Sequence, residues 1–327
     1  MSTTALTPTV QRAESDRRRW MRSRDNSLIV VLVCFCLLVG AFRPVFLSWS
    51  NVALILSASA VLGLVALGEF LVIVTGAVDI SVGAIVGISA LTTGLVLDAG
   101  WPLALSVGAG LVAGALAGAL NGILVALGGI PSVIVTLATL SLFRWGLQRF
   151  TGGDSTDAAH RELSWLTTPG ASKVPPSVLL MFAAAILLSI FVGRTQLGRE
   201  IFAVGANEAA ARASGVAVKR VRVITFTLAG FFAGLGGIVA ASQLAYVSAQ
   251  TGSGLEFLAI GAVVLGGTNL FGGSGRVRGV LTGVLLLYAI YDAMVIVGVP
   301  AAWQDAVAGA LILVAVIFDT LGRRRGK

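Results

Sequence analysis

The stretch Gly198–Arg222, GREIFAVGANEAAARASGVAVKRVR, is a polar interruption around which the rest of the chain is arranged. Asn207 stands where its side chain can N-cap a helix. Glu208 then falls in the first turn, where the positive end of the helix dipole favours a carboxylate. Ala209, Ala210 and Ala211 are strong helix formers, Arg212 follows near the negative end, and Gly215 is a stop that tolerates a left-handed backbone. The pattern predicts a helix of about two turns, too short to persist alone in water. Two readings stand at this point: a connecting loop with a helical turn, or a helix that docks against another surface.

Outward from this stretch the chain is apolar almost everywhere. Of 327 residues, 57% are hydrophobic and 12% charged, and the mean hydropathy is +0.95. A soluble core cannot hide that much apolar surface. The apolar runs are continuous and do not alternate, which predicts an all-α polytopic membrane protein and not a β-barrel. Ten spans are predicted, at roughly 28–47, 52–75, 80–97, 102–127, 131–150, 176–193, 223–242, 256–271, 279–298 and 302–319. Residues 1–27 are read as a polar tail, 28–320 as the transmembrane domain with its loop 194–222, and 321–327 as a basic tail.

The formal charge of +8 would suit a polyanionic ligand if it were spread over a face. It is not. Of the 23 Lys and Arg, 18 lie within 1–27, within 194–222, at Arg276 and Arg278, or in the tail from Arg323 to Lys327. Ten spans bring all of these to one side, so the basicity reports the positive-inside rule and places both termini in the cytoplasm, with no role in binding nucleic acid. The first apolar run, Leu28 to Phe42, is followed by Arg43-Pro44 with no small-x-small cleavage site, and is read as an uncleaved span. Cys34 and Cys36 both lie in it and point to neither a disulfide nor a metal site. His160 is the one histidine, without a second ligand nearby, and no nucleophile–base cluster exists; the chain is read as neither metal-binding nor an enzyme.

Several polar or glycine-rich features fall within the spans. At Thr75–Gly83, TGAVDISVG, glycines, a hydroxyl and a carboxylate interrupt an apolar run, and non-helical backbone at that depth survives only where protein or a water-filled cavity satisfies it. Asp79 is read either as a cap on the next helix or as a contact for the transported molecule. Gly110, Gly114, Gly118 and Gly122 recur every four residues on one helix face and mark close packing, with Asn121 beside them. Ser81, Asn121, Thr136 and Thr139 are the candidate polar groups of a path, and Asp79 joins them. Arg144 lies about 6 Å of helix rise before Gln148-Arg149, and its long side chain is predicted to reach outward to the interface. The run Gly266–Gly275 lacks the G-K-[ST] ending of a phosphate loop and follows no soluble strand, so nucleotide binding is not expected there. Glu69, Asp79, Glu256, Asp292, Asp305 and Asp319 lie mostly near span ends, without the buried acid–base pair of an ion-driven transporter. Glycine-rich interruptions early in spans two to five and again in spans seven to ten suggest an inverted internal repeat.

Four ordered motifs resemble those of ABC importer permeases of the ribose/monosaccharide branch. The pattern G-R-x-x-(F/Y)-A-x-G-x-N-x-x-A-A-x-x-S-G is matched by Gly198, Arg199, Ala203, Gly205, Asn207, Ala210, Ala211, Ser214 and Gly215. The signature G-G-I-D-L-S-V-G is kept at Gly76, Asp79, Ser81, Val82 and Gly83. I-P-x-x-(I/V)-x-T-L-x-T-x-x-x-(F/Y)-R-G covers Ile130 to Gly146 with Trp145 inserted, and G-G-x-x-x-x-G-G-x-G is matched by Gly266 to Gly275. Asp292 departs from the usual Asn-Gly. The resemblance implies a cytoplasmic coupling helix built from Gly205, Asn207, Glu208, Ala210, Ala211, Arg212, Ser214 and Gly215. It also implies ATP and Mg bound by a separate ATPase subunit and no cofactor in this chain. An extracytoplasmic sugar-binding protein and a second permease chain, identical or homologous, complete the expected assembly in a bacterial inner membrane. A monosaccharide or similar neutral polyol is the expected substrate; a branched-chain amino-acid permease and an ion-driven secondary transporter are the alternatives.

The orientation is directly testable. In a background without Cys34 and Cys36, a cysteine introduced near Asp157 is expected to react with an impermeant thiol reagent outside sealed cells, and one at Ser214 is expected to stay unlabelled. The reverse pattern would invert the topology.

Overall fold

The computed structural model describes residues 27–152, 156–157, 160–169, 173–244 and 246–300, with isolated positions between 303 and 313. Helix α1 covers Ser27–Phe42, and a 3-10 turn at Pro44–Leu47 leads into α2, Trp49–Val74. Then follow α3 (Val82–Asp98), α4 (Leu103–Ala126), α5 (Ser132–Phe150), the two-residue strand β1 (Thr156–Asp157) and the short α6 (His160–Leu163). The chain continues through α7 (Pro176–Arg194), α8 (Gln196–Ala206), α9 (Glu208–Ala213) and α10 (Val218–Gln243). β2 (Tyr246–Val247), α11 (Leu255–Leu265) and α12 (Val277–Val297) complete the described fold. β1 and β2 pair antiparallel, the one strand pairing among the described residues.

Helix starts follow the local chemistry. Ser48 caps α2 by accepting from the Asn51 amide at 3.4 Å, and Pro102, Pro131 and Pro175 precede α4, α5 and α7 in extended or turn conformations, where a missing amide proton costs nothing. Five helices, α2, α4, α7, α10 and α12, are long and apolar enough to cross a membrane, and α1, α3 and α11 are shorter apolar helices.

α2 and α10 form the centre. From Ser59 to Val74 every residue of α2 is buried, the signature of a helix surrounded on all sides by protein. α10 packs on α2, α3 and α4, and α2 packs on α10, α11 and α12. The α4–α10 contact is made by backbone. A Cβ on Gly114 would stand 2.6 Å from Gly230 O, one on Gly118 would stand 2.9 Å from Gly230 Cα, and one on Gly122 would stand 2.9 Å from Val223 Cα. Gly110, the first of the four, faces α3 instead, where an added Cβ would stand 2.9 Å from Ser89 O.

The structure departs from the ten even spans at definite places. The first is cut at Phe42, because Arg43-Pro44 turns the chain into the 3-10 segment. The eighth is an eleven-residue helix, about 16 Å long against a hydrocarbon thickness of about 30 Å. It is short because residues 246–254 fold back into the protein beside α3 before α11 starts: Gly252 packs against Gly83 and Val86. The seventh begins at Val218, five residues before the apolar run, carrying Lys219, Arg220 and Arg222 on helix. The tail to residue 26, all but isolated positions of span ten, and the tail 321–327 lie outside the described residues.

Because the α4–α10 contact has no room for a methyl group, Gly118→Ala is expected to cost about 1–3 kcal/mol by overpacking, read as a lower unfolding temperature of the detergent-solubilised protein. Gly146→Ala, which adds a methyl group in open space, is the matched control and is expected to leave that temperature unchanged.

Candidate functional site

The polar stretch is helical almost throughout. Thr195 caps α8, its hydroxyl accepting from the Gly198 amide at 3.0 Å, and Gly198, Ile201 and Val204 form the buried face. Sequence reasoning missed α8; the apolar spacing of Ile201 and Val204, three residues apart, was the available signal. Asn207 ends α8 and starts α9: its amide donates to Ala203 O at 3.1 Å, and its side-chain oxygen accepts from the Ala210 amide at 3.0 Å. α9 closes in a Schellman arrangement, with Val216 N donating to Ala211 O and Gly215 N to Arg212 O, both at 3.0 Å, and with Gly215 at φ +85°. Glu208 holds the two ends together, accepting from Arg212 at 2.7 Å and from Arg222 of α10 at 2.5 Å. Burial raises the Glu208 carboxyl, but the Arg212 hydrogen bond and the charge and hydrogen bond of Arg222 outweigh it and hold the group below the usual carboxylate range. Ala211 is buried against the protein, whereas Ala209, Ala210, Arg212, Ala213 and Ser214 are exposed, and Glu208, Ala209, Arg212 and Ala213 line a shallow open concavity.

Three of the singled-out glycine motifs meet beside α8. The Gly273 amide donates to Val74 O, the last residue of α2, at 2.9 Å. A Cβ on Gly205 would strike Val74 O and stand 2.6 Å from Gly273 N. A Cβ on Gly272 would stand 2.7 Å from Gly76 N and 3.0 Å from Gly205 O, and one on Gly273 would stand 2.7 Å from Ala206 Cα. Gly76, Gly272 and Gly273 all have positive φ, at +80°, +89° and +77°, so an added side chain would be strained as well as crowded.

Beyond Gly76 the break holds a wholly buried polar cluster. Asp79 Oδ1 accepts from the Ser81 amide at 2.8 Å and from its hydroxyl at 2.6 Å. Asn121 of α4 donates to Ser81 Oγ at 2.7 Å and lies 3.5 Å from Asp79 Oδ2. Glu69 of α2 accepts from the Asp79 amide at 3.1 Å, and the Val78 amide donates to Ser132 Oγ at the start of α5. Asp79, Ser81 and Asn121 are therefore brought together, as donors and acceptors for one another. Thr136 and Thr139 are not: both are buried on α5, with hydroxyls turned back to Val133 O and Thr136 O of their own helix. Glu69 is fully buried in the last two turns of α2, where it accepts from the backbone of Asp79, a second acid and not a base.

Arg144 corrects an expectation. It does not reach outward: its Nη1 donates to Ala249 O at 2.8 Å and Thr251 O at 2.7 Å. Two carbonyls of the folded-back segment 246–254 hold one guanidinium nitrogen and draw the side chain inward, while Nη2 is buried without a protein partner. Asp292, whose role the sequence left open, accepts from Asn51 Nδ2 at 2.6 Å and ties α12 to the start of α2. Gly110, Gly114, Gly118 and Gly122 pack helices and lie outside these polar clusters.

A helical bundle with apolar spans, broken at a polar cluster and carrying a capped helix outside the bundle, defines a multi-pass membrane transport protein. Its family is explicit: residues 51–316 match the branched-chain amino acid transport system / permease component family, and the chain belongs to that family. It is 40% identical over 306 residues to the autoinducer 2 import system permease protein LsrC of an Enterobacter species, covering 93% of this chain and 88% of the relative. The LsrC proteins of Yersinia enterocolitica and Salmonella typhi are each 36% identical over 303 residues, again covering 93% of this chain and 84% and 87% of theirs. No solved structure matches the chain. The protein is a permease subunit of an importer, resident in a bacterial inner membrane.

The Glu208 clasp gives a pH expectation with a definite sign. A folded carboxyl held below its unfolded value contributes stability above the ordinary glutamate range, about 4.3, and loses it as pH falls through the lower folded value. A nitroxide at Ser214 is expected to become more mobile over that acidic range in the native chain. In Glu208→Gln it should be more mobile at neutral pH, with no further acid transition. The pair is partly exposed, so the effect is on the scale of a surface i,i+4 contact, about 0.3–0.5 kcal/mol.

Proposed function

We propose that this chain is the membrane-spanning half of an ABC importer that moves a small, neutral, hydroxyl-rich molecule of the sugar type, using ATP hydrolysed on a separate subunit. The observation that carries the reading is α9: six residues, capped at both ends, clasped to α10 through Glu208 and Arg222, and exposed along Ala209, Ala210, Arg212, Ala213 and Ser214. So short a helix gains little stability from itself, and its prepared open face suits the groove of an ATPase. ATP and Mg belong to that partner, and this chain holds no cofactor. A second permease chain, identical or homologous, supplies the second coupling helix, and a binding protein delivers the substrate from outside.

The full topology is ten spans with both termini in the cytoplasm, organised as an inverted repeat. Packing supports it. The segments assigned to the inner side, Val74–Gly76, Gly205–Ala206 and Gly272–Gly273, touch one another. Those assigned to the outer side also meet, with β1 on β2 and Thr167 bonded to Ser242. Under a two-fold that exchanges α2 with α10, α3 with α11 and α4 with α12, each of the contacts α10 with α3, α10 with α4 and α3 with α4 has a counterpart, in α2 with α11, α2 with α12 and α11 with α12.

The relatives' names specify import of autoinducer 2, and the buried polar groups near the break are a hydroxyl, an amide and carboxyls that are already hydrogen-bonded. A sugar-type molecule presents hydroxyls, whereas an amino acid brings two opposite charges that need fixed partners. The test is uptake into proteoliposomes containing permease, ATPase and binding protein, with labelled monosaccharides, autoinducer 2 and leucine. ATP-dependent uptake of a sugar-type compound is expected. Leucine uptake alone would favour an amino-acid carrier, and uptake that ignores ATP but collapses with the proton gradient would favour a secondary transporter. Ala210→Trp, which enlarges the exposed α9 face, is expected to insert normally, release the ATPase and abolish uptake at least tenfold.

A further inference from the structure

We propose that the backbone joint of Val74–Gly76, Gly205–Ala206 and Gly272–Gly273 carries movement of the docked α9 into the α2–α3 break, with Gly205 as its positioning residue. This rests on the reading that α9 docks on an ATPase. Two routes lead from α9 into the bundle. One runs forward through Gly215 into α10, reinforced by Glu208 and Arg222. The other runs back through Asn207, a single residue that caps both helices, into α8.

The backward route is the stiffer where it meets the membrane. α8 buries Ile201 and Val204 and sets Phe202 edge-on to Phe70 of α2, with ring centroids 6.4 Å apart. Its next-to-last residue is Gly205, whose backbone lies against Val74 O and Gly273 N, while Gly273 N is itself bonded to Val74 O. Gly272 fills the remaining space between Gly76 N and Gly205 O. No side chain intervenes in these contacts, so there is no rotamer to absorb a displacement. The last helical turn of α2 and the Gly266–Gly275 loop must follow α8. Immediately beyond Val74 the chain is non-helical from Thr75 to Ser81, and a hinge takes up a displacement where the backbone is free to change φ and ψ. The first buried polar side chains beyond the joint are Asp79 and Ser81, tied to Glu69 and Asn121. Movement entering at Gly205 therefore emerges at the polar cluster of the break.

The experiment uses the assembled permease–ATPase complex in nanodiscs, without Cys34 and Cys36. A cysteine replacing Val78, a partly exposed residue of the break, reports thiol labelling rates with and without ATP and vanadate. With Gly205 intact, trapping is expected to change the labelling rate at least threefold. Gly205→Ala, which pushes a methyl group into Val74 O and Gly273 N, is expected to keep the ATPase bound while removing that change and uptake with it. Ala210→Trp should instead release the ATPase, so failure of docking and failure of the joint are told apart by co-purification. If trapping changes labelling equally in Gly205→Ala, or leaves it unchanged in the parent complex, the joint does not carry the movement. A second measurement keeps all the joint glycines: nitroxides on cysteines replacing Ala206 and Phe271 are expected to show the same dipolar coupling before and after trapping. A change in that coupling would mean that the joint opens, and would overturn the proposal even where Gly205→Ala fails to accumulate.

Discussion

In hydrocarbon, an apolar side chain gains nothing by leaving its solvent, so helices are held by how closely their backbones approach and by the few polar groups they share. This chain depends on that approach. α4 lies on α10 with glycine facing glycine, Gly114 and Gly118 against Gly230 and Gly234. The same device recurs between α11 and α12, where Gly266 meets Gly279 and Gly283. With backbones in contact, dispersion acts over the whole helix face and no side-chain entropy is lost in making it.

Close packing of this kind also sets where polar groups can sit. The interruption Thr75–Ser81 after α2 is largely buried, which allows non-helical backbone at that depth, and residues 246–254 after α10 bury Val247 and Thr251 while exposing Tyr246, Gln250 and Ser253. In the first, Asp79, Ser81, Asn121 and Glu69 are hydrogen-bonded to one another or to the backbone of the break, with Glu69 Oε2 and Asn121 Oδ1 left without a protein partner. In the second, Arg144 gathers the carbonyls of Ala249 and Thr251, and Glu256 at the head of α11 accepts from the Gly254 amide. Each break thus carries its own ionisable side chains and its own hydrogen bonds, and each lies at the start of a shorter helix, α3 or α11, that runs back through the bundle.

The short helix α9 follows a different rule, since it stands outside the apolar bundle. α9 is held by capping: Asn207 at one end, Gly215 at the other, and the Glu208 clasp to Arg212 and Arg222. These are local interactions with a sequence signature, which is why its start and stop were legible without coordinates. α8 was less so, because its buried face is only Gly198, Ile201 and Val204, and polar residues on its other face make it read as loop.

The sequence by itself determined the membrane class, the apolar helices, the glycine face of α4, the break at Asp79 and the ends of α9. All of these rest on composition, periodicity or capping within a few residues. Tertiary structure alone decided which motifs meet. Val74, Gly205 and Gly273 are far apart in the chain, and nothing in the spacing of their glycines says which backbone each will touch. Arg144 illustrates the same limit: a long cation about 6 Å of helix from the polar end of its span is free to reach water until a folded-back segment offers it carbonyls. Glu69, near the end of its span, has no partner legible in the sequence, and the fold brings the Asp79 amide against it. A local rule fixes an element through its own backbone, but the partner of a buried polar group or of a bare backbone is supplied by distant chain, and only packing chooses it.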